Sequence, residues 1–276
     1  MLPYIHIGIH FVLHLGDRLI PVGPWDVPTF GLMLWVATVC GAVVLHWSFR
    51  RDHIQADALG IVALTVVAGI VGAKLWHVVD SPQEFQDYGW SVLWSTGGFA
   101  WFGGLVAGIV ALLIQGKSAG LGGLRTLDLA APAAAVGYAV GRIGCLTSGD
   151  GDYGIPTTLP WGMAFPQGIE PTPPGVFVHP TPMYELIAGL LIGWWLWRRA
   201  GKRNGTGAIV GEYLLLTGVA RFLVEFIRRN PHVFLGLSNA QLASLGSALV
   251  GVILIWVAAK RTKSTPEEPA KLAKAA

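Results

Sequence analysis

The fold is decided by the run ALGIVALTVVAGIVGAKLWHVV at residues 58–79, which contains one lysine, Lys74, and no arginine or carboxylate. A helix needs about 20 apolar residues to cross a hydrocarbon core about 30 Å thick. A strand of a membrane barrel would instead alternate apolar and polar residues over about ten positions. The run is therefore predicted to be a transmembrane helix.

The composition of the whole chain agrees with this interpretation. The chain has 276 residues, of which 53% are hydrophobic and 13% are charged, and its mean hydropathy is +0.56. A soluble domain carries roughly 25% charged residues. In lipid every backbone amide must be satisfied within its own segment or within a closed barrel, and the long apolar runs favour helices. We predict an all-α, polytopic integral membrane protein.

Seven runs are predicted to span the membrane. They are residues 29–49, 58–79, 98–116, 126–147, 183–199, 207–227 and 239–259. Residues 1–262 are predicted to form a single transmembrane domain, whose remaining parts are an amphipathic amino-terminal arm at 1–28, an interfacial arm at 80–97 and a Gly- and Pro-rich periplasmic loop at 148–182. The mixture of Lys, Glu, Pro and Ala over residues 263–276 predicts a disordered cytoplasmic tail.

The distribution of lysine and arginine predicts the orientation. Cytoplasmic loops of membrane proteins are enriched in these residues. If the amino end lies outside, the cytoplasmic side receives Arg50, Arg51, Lys117, Arg125, Arg198, Arg199, Lys202, Arg203, Lys260, Arg261, Lys263, Lys271 and Lys274. The outside then receives only Arg18, Arg228 and Arg229. The amino terminus is therefore predicted to be periplasmic and the carboxyl terminus cytoplasmic.

Several other classes of protein and site are excluded. The formal charge of +3 and the pI near 9.0 do not indicate a nucleic-acid-binding protein, because the basic residues form short clusters between apolar runs. Cys40 and Cys145 lie far apart in apolar segments, which is typical of buried thiols. The amino end has no basic region before its apolar residues and predicts no cleavable signal peptide. None of the usual spacings of metal ligands is present.

Ionisable residues within the apolar runs point to function. They are Lys74, Asp128, Arg142, Glu185, Glu212, Arg221 and Glu225. Such a residue at the bilayer centre costs several kcal/mol, so it usually faces a polar cavity and a partner. Arg221 and Glu225 are four residues apart and can pair on one helix face. Lys74, Arg142 and Arg221 near the outer leaflet suit an anionic lipid headgroup; the alternative is a structural ion pair and a lysine that snorkels to the interface.

Four segments carry a recognisable pattern in their order and spacing. They are GGFAWFGG at 97–104, GRIGCLTSGDGDYG at 141–154, HPTPMYE at 179–185 and RFLVEFIR at 221–228. Each resembles a signature of the prolipoprotein diacylglyceryl transferase family, and NAQL at 239–242 fits the start of that family's last span. The resemblance extends over roughly residues 28–260.

The resemblance implies a reaction. A diacylglyceryl group would pass from phosphatidylglycerol to the lipobox cysteine thiol in the signal peptide of a prolipoprotein, forming a thioether and releasing glycerol phosphate. The partners would be these two substrates and membrane lipid, with no nucleic acid, at the periplasmic side of a bacterial inner membrane. The family needs no metal and no cofactor.

The resemblance, together with the charged residues near the outer leaflet and in the signature turn, implies which residues form the site. The catalytic residues would be Arg142, Arg221, Glu225 and Asp150. Phosphatidylglycerol would be bound by Arg142, Arg221, Gly103, Gly104, Gly154, Lys74 and His179. Guanidinium groups suit a phosphate leaving group because their planar donors match its oxygens. Glycines allow the backbone to approach a headgroup closely.

The chain departs from the family pattern at several polar positions. Phe102 stands where well-known members have a histidine that is a candidate for accepting the thiol proton. Cys145 stands in place of asparagine, Phe30 in place of an aromatic hydroxyl and Thr217 in place of tyrosine. Asp150, Glu225 and His179 are possible substitutes for the base; alternatively, the arginines lower the thiol pKa enough that no dedicated base is needed.

Two other functions remain as alternatives. A divergent paralogue would bind anionic phospholipid but have altered or lost transferase activity. A small-solute transporter would also carry charged residues within its spans. Paired half-repeats, which many transporters have, do not stand out in the sequence.

Overall fold

The computed structural model describes residues 3–7, 11–15, 18–22, 25–95, 97–201 and 206–263. The helices are α1 (Thr29–Arg51), α2 (Ala58–Asp80), α3 (Pro82–Tyr88), α4 (Trp101–Ser118), α5 (Gly123–Ser148), α6 (Thr181–Ala200), α7 (Ala208–Glu225) and α8 (Asn239–Lys263). The strands are β1 (Tyr4–Ile7), β2 (Phe11–Leu15), β3 (Arg18–Val22), β4 (Trp25–Pro28), β5 (His232–Phe234) and β6 (Leu237–Ser238). A 3₁₀ turn covers Gly89–Trp94.

The seven predicted spans coincide with the seven long helices. Within the described part of the chain, five of them, α1, α2, α4, α5 and α8, are long and apolar enough to cross a membrane. The other two, α6 and α7, carry three charged residues each. The prediction of a mostly helical, multi-pass membrane protein is confirmed, whereas the count of seven crossings stays a prediction.

The two predicted arms have regular structure. Within residues 1–28, β1 pairs with β4 and β2 pairs with β3, both antiparallel. Residues 80–97 contain α3 and the 3₁₀ turn, whose Trp90 and Trp94 are 71% and 86% exposed. Within the first arm, His6 contacts Asp26, whereas His10 and the His14 side chain lie outside the described residues. The predicted disordered tail also lies outside them from residue 264 onward.

The chain divides into two compact units. Unit 1 contains Met1–Cys40, Ala134–Gly193 and Leu216–Ser247, and unit 2 contains Gly41–Ala133, Trp194–Leu215 and Ala248–Ala276. Unit 1 has a small core in the loop between α5 and α6, where the rings of Tyr153 and Phe165 stack with centroids 5.0 Å apart. The core of unit 2 is built of Leu45, Phe49, Ala58, Ile61, Leu121, Leu129 and Ala133.

Glycines allow α2 and α4 to pack closely within unit 2. A Cβ atom at Gly103 would overlap the carbonyl oxygen of Gly72 and the Cβ of Trp76. A Cβ at Gly104 would lie 3.2 Å from the carbonyl oxygen of Gly69. Gly103 and Gly104 therefore allow the backbones of α2 and α4 to come into direct contact.

Gly103→Ala is expected to destabilise the protein, because backbone atoms of α2 would have to move to admit the methyl group. Overpacking of this kind costs about 1–3 kcal/mol. Gly246→Ala on α8 is the matched control, since a Cβ there meets nothing within 4 Å. The free energy of unfolding in detergent measures both variants. Equal effects of the two substitutions would contradict the packing role.

Candidate active site

A network of three arginines and three carboxylates lies in unit 1. Its members are Arg142 on α5, Asp152 in the loop after α5, Glu185 on α6, Arg221 and Glu225 on α7, and Arg228 just beyond α7. All six lie near helix ends: Arg142 precedes the end of α5 by six residues and Glu185 lies in the first turns of α6. The network is thus built where the loops between these helices meet.

Glu185 is the centre of this network. Its Oε1 accepts hydrogen bonds from Tyr138 Oη at 2.7 Å and from Arg221 Nη1 at 2.5 Å. Its Oε2 lies 3.1 Å from Arg142 Nε and 3.6 Å from Arg228 Nη1. The side chain is 3% exposed, and a carboxylate at such burial is tolerated only with compensating cations and donors. Glu185 thereby holds the three guanidinium groups together.

Glu225 is held from both sides. Arg221 Nη2 lies 3.1 Å from Glu225 Oε2, which confirms the predicted pair four residues apart. Glu225 Oε1 accepts hydrogen bonds from Asn230 Nδ2 at 2.5 Å and from Ser238 Oγ at 2.8 Å. Ser238 and Gln241 exchange hydrogen bonds between side chain and backbone at the start of α8, which is a capping box. The start of α8 therefore helps to orient Glu225.

Asp152 joins two of the arginines. Its Oδ2 accepts a hydrogen bond from Arg142 Nη1 and its Oδ1 accepts one from Arg228 Nη2. The hydroxyl of Thr181 donates to the Asp152 carbonyl oxygen. Burial alone would raise the pKa of the Asp152 carboxyl, but the hydrogen bond and charge of Arg228 and the charge of Arg142 hold it below its usual value. Asp152 is therefore an anion at neutral pH.

The network is electrically balanced but unevenly exposed. Three guanidinium groups face three carboxylates, so their formal charges cancel when all are ionised. Among the cations, the exposed fraction of the side chain is 24% for Arg221, 14% for Arg142 and 7% for Arg228. Among the acids it is 29% for Asp152, 3% for Glu185 and 1% for Glu225. Arg221 and Asp152 are thus the members most accessible to a ligand.

A thiol and a second aspartate lie beside Asp152. The Sγ atom of Cys145 and one carboxylate oxygen from each of Asp150 and Asp152 lie within 4.8 Å of one another. Arg142 Nη1 is 3.6 Å from Cys145 Sγ. Burial raises the pKa of the Asp150 carboxyl, and the negative charge of Asp152 raises it further, while a hydrogen bond with Cys145 partly opposes these effects. Asp150 is consequently a stronger base than an ordinary aspartate.

Gly154 and His179 lie next to this network through backbone contacts. The Gly154 N–H donates to the His179 carbonyl at 2.8 Å, and a Cβ at Gly154 would overlap the carbonyl oxygen of Ile227. Gly154 therefore lets the loop pass close to the backbone beside Arg228. The His179 ring contacts Tyr184 instead, with Nδ1 and Oη 3.1 Å apart. A direct role of either residue in lipid binding stays a prediction.

Lys74 and the two glycines of α4 lie in unit 2. The Lys74 ammonium donates to the carbonyl oxygens of Val92, at 3.2 Å, and Ser95, at 2.7 Å, and to that of Gly97. It also lies 4.3 Å from the centroid of the Phe99 ring. These contacts tie the interfacial arm to α2. Binding of phosphatidylglycerol by Lys74, Gly103 or Gly104 stays a prediction.

The predicted site residues omitted three members of the network, Glu185, Asp152 and Arg228. They also omitted Tyr138, which donates to Glu185 and accepts from Arg142. Tyr138 lies one turn before Arg142, so its hydrogen bond to that arginine at 2.8 Å was foreseeable from helical spacing. Asp152 and Arg228 lie within two of the quoted segments, but their contact depends on the tertiary structure.

The comparison with known proteins agrees with this geometry. A sequence model of the family described as prolipoprotein diacylglyceryl transferase matches residues 17–257. The chain belongs to this family. The match includes every member of the arginine and carboxylate network.

Relatives in this prolipoprotein diacylglyceryl transferase family are similar over most of their length. A protein of Methylibium petroleiphilum is 34% identical over 84% of this chain and 88% of its own. A protein of Bordetella avium is 30% identical over 89% of this chain and 95% of its own. A protein of Clostridium tetani is 27% identical over 82% of this chain and 90% of its own. All three are named phosphatidylglycerol–prolipoprotein diacylglyceryl transferase.

The departures from the transferase family pattern lie at the following places in the structure. Phe102, in the position of a family histidine, is 57% exposed at the start of α4, where its ring contacts Trp101 edge-on. Phe30, in the position of an aromatic hydroxyl, lies against Gly144, with Cδ2 3.3 Å from the position of a Cβ there. Cys145 is buried and lies beside Arg142. None of these three side chains is an imidazole or a carboxylate, and Asp150 and Asp152 are the carboxylates that lie beside the Cys145 thiol.

Proposed function

We propose that this chain transfers a diacylglyceryl group from phosphatidylglycerol to the lipobox cysteine of a prolipoprotein, forming a thioether and releasing glycerol phosphate. The observation that carries this proposal is the convergence of Arg142, Arg221 and Arg228 on Glu185, in a member of the transferase family. A cluster of guanidinium groups with one partly exposed member suits a lipid phosphate.

The proposal places the site at the periplasmic side of a bacterial inner membrane. Seven crossings with the amino end outside would bring the ends of α5 and α7 and the starts of α6 and α8 to that side. Arg142, Glu185, Arg228 and Ser238 belong to these helix ends and the residues next to them. The concentration of lysine and arginine at the opposite ends of the helices, in the loops assigned to the cytoplasm, supports this orientation.

In the proposed first step the arginines bind the phosphodiester. Arg221 is the most exposed of the three guanidinium groups and makes the first contact, and Arg142 and Arg228 complete the site. Negative charge on the phosphate grows as the bond between the glyceryl carbon and the phosphate oxygen breaks. Donors that are already in place stabilise this charge more in the transition state than in the ground state.

In the proposed second step Asp150 accepts the proton of the incoming thiol. The sulfur attacks the glyceryl carbon that carries the phosphate, the C–S bond forms, and the C–O bond breaks with its electron pair passing to the phosphate. The proton leaves Asp150 for solvent, so a thiol and a phosphodiester anion yield a thioether, a phosphomonoester dianion and one proton. The raised pKa of Asp150 supports this assignment, because a stronger base accepts the thiol proton more readily.

Asp150→Asn is expected to lower the rate of transfer by about 10²–10⁴-fold, the usual contribution of a positioned base. Asp150 must be ionised to accept a proton, so the wild-type rate should fall as the pH drops through its pKa, which lies above that of an ordinary aspartate. The pH–rate profile measures this acidic limb. A limb that persists unchanged in Asp150→Asn would show that another group accepts the proton.

The function itself is tested with purified protein in vesicles of phosphatidylglycerol. A lipobox peptide is added, and mass spectrometry follows the gain of one diacylglyceryl group on its cysteine. The controls are a peptide with serine in place of cysteine and vesicles of phosphatidylethanolamine alone. A folded protein that binds phosphatidylglycerol but forms no thioether would instead be the divergent paralogue, for which the loss of the family histidine at Phe102 is the supporting observation.

A further inference from the structure

We infer that Asp152 is a resident anion, which occupies Arg142 and Arg228 in the empty site, yields them to the lipid phosphate and takes them back when the product leaves. This inference rests on the proposed function, because it concerns the anion that the same arginines bind. It assigns Asp152 the role of a positioning residue that sets the balance between substrate affinity and product release.

The contacts of Asp152 are those of an anion in a phosphate site. Each of its two oxygens accepts a hydrogen bond from a different guanidinium group, Arg142 on one side and Arg228 on the other. A phosphodiester also presents two unesterified oxygens that bridge neighbouring donors. The carboxylate and the phosphate therefore compete for the same N–H groups.

Exposure distinguishes Asp152 from the other two acids. Its side chain is 29% exposed, whereas those of Glu185 and Glu225 are 3% and 1% exposed. Glu185 contacts three arginines and Tyr138, and Glu225 is held by Asn230 and Ser238. Displacing either of them would leave an uncompensated charge in the interior, which is costly. Of the three acids, only Asp152 can be replaced on the arginines by an anion that arrives from outside.

The backbone of Asp152 is fixed, so the exchange needs only a rotation of its side chain. Its N–H donates to Asp150 Oδ1 at 3.2 Å, and its carbonyl oxygen accepts from the Thr181 hydroxyl. Two residues later, Gly154 donates to His179. Rotation about a side-chain bond is fast compared with a loop movement, so the exchange need not limit turnover.

The charge balance of the network determines how the exchange affects the affinity for anions. With Asp152 ionised, the six charges of the network cancel, and an incoming phosphate must displace a bound carboxylate. Removing that carboxylate would leave one net positive charge and tighten the binding of every anion. Glycerol phosphate carries more negative charge than the lipid phosphodiester, so its release benefits most from the return of Asp152.

The test compares Asp152→Asn with the wild-type protein in nanodiscs. Titrations measure the Kd of phosphatidylglycerol and of glycerol phosphate, and steady-state assays measure kcat and product inhibition. Both Kd values are expected to fall about tenfold, since a tenfold change matches one modest charge interaction. The kcat is expected to fall and inhibition by glycerol phosphate to strengthen. If the role of Asp152 were only structural, both Kd values would rise in Asp152→Asn.

Two controls keep the result interpretable. Asp152→Glu retains the charge and should leave both Kd values within about threefold of wild type, because the charge interaction persists. Glu170→Gln removes a 62%-exposed acid that pairs with Arg229 outside the network, and should change neither Kd. Unchanged or larger Kd values in Asp152→Asn, with wild-type binding and transfer intact, would overturn the inference alone. Absence of anion binding in the wild-type protein would overturn the proposed function with it.

A second measurement uses the wild-type protein and therefore does not depend on the folding of Asp152→Asn. With ¹³C-labelled aspartate, the Asp152 carboxyl resonance is assigned by its loss from Asp152→Glu. Glycerol phosphate is expected to shift this resonance at the concentration at which it binds, because the carboxylate loses two guanidinium partners. Saturation of the site without a shift would show that Asp152 stays on the arginines and would refute the exchange.

Discussion

Replacing Arg221 with alanine is expected to reduce diacylglyceryl transfer by about 10²–10³-fold, the usual loss when one preorganised donor to a developing negative charge is removed. Arg221 is the most exposed guanidinium group of the network, and Glu185 and Glu225 hold it from two sides, at 2.5 Å and 3.1 Å. Its donors are therefore in place before the phosphate arrives. The initial rate of thioether formation in phosphatidylglycerol vesicles measures the loss.

Two further variants separate geometry from charge. Arg221→Lys keeps the charge but loses the planar, two-pronged donor, so it should recover only part of the rate. Arg199→Ala is the matched control, because Arg199 also forms a bidentate pair, with Glu212 at 2.8 Å, in unit 2. A rate for Arg221→Ala close to that of Arg199→Ala would contradict the assignment of Arg221 to the phosphate.

Replacing Glu185 with alanine is expected to have the largest effect on stability, a loss of about 3–5 kcal/mol, which is typical when one partner of a buried ion pair is removed. Glu185 is 3% exposed and contacts all three arginines of the network. Its removal would leave mutually repelling cations in a poorly hydrated site. Thermal or chemical unfolding in detergent, followed by circular dichroism, measures the change.

The control for this substitution is another glutamate of unit 1. Glu170→Ala removes a 62%-exposed side chain that lies 3.6 Å from Arg229, and exposed pairs contribute about 0–1 kcal/mol. The loss of stability in Glu185→Gln should lie between those of Glu185→Ala and Glu170→Ala. The amide oxygen can still accept a hydrogen bond from Tyr138 or an arginine, while the charge is lost. Similar unfolding midpoints for the two alanine variants would refute the central position of Glu185.

Sequence reasoning succeeded where the deciding contacts are local. The pair of Arg221 and Glu225 follows from their spacing of four residues on one helix, and the structure contains it. The helical character of all seven predicted spans follows in the same way from the length of the mainly apolar runs. The helical period determines that residues four apart lie on one face, and the need to satisfy backbone amides in lipid determines that the spans are helical.

The sequence did not identify the partners of polar groups that are distant along the chain. Binding of a lipid phosphate by Lys74 stays a prediction, and the contacts of its ammonium with carbonyl oxygens up to 23 residues away, in the interfacial arm, were not expected. Asp152 and Arg228 are 76 residues apart and meet in the network. Nothing in the order of the residues distinguishes these partners from the other oxygens and carboxylates within reach.

The sequence by itself determined the seven long helices, their boundaries within a few residues and the family, because length, hydropathy and short motifs are properties of contiguous residues. Only the tertiary structure decided which charges meet. Glu185 lies 43 residues from Arg142 and 36 from Arg221, and it joins them because α5, α6 and α7 bring their ends together. An ion pair between helices depends on helix packing, and packing is set by many side chains at once rather than by the spacing of two.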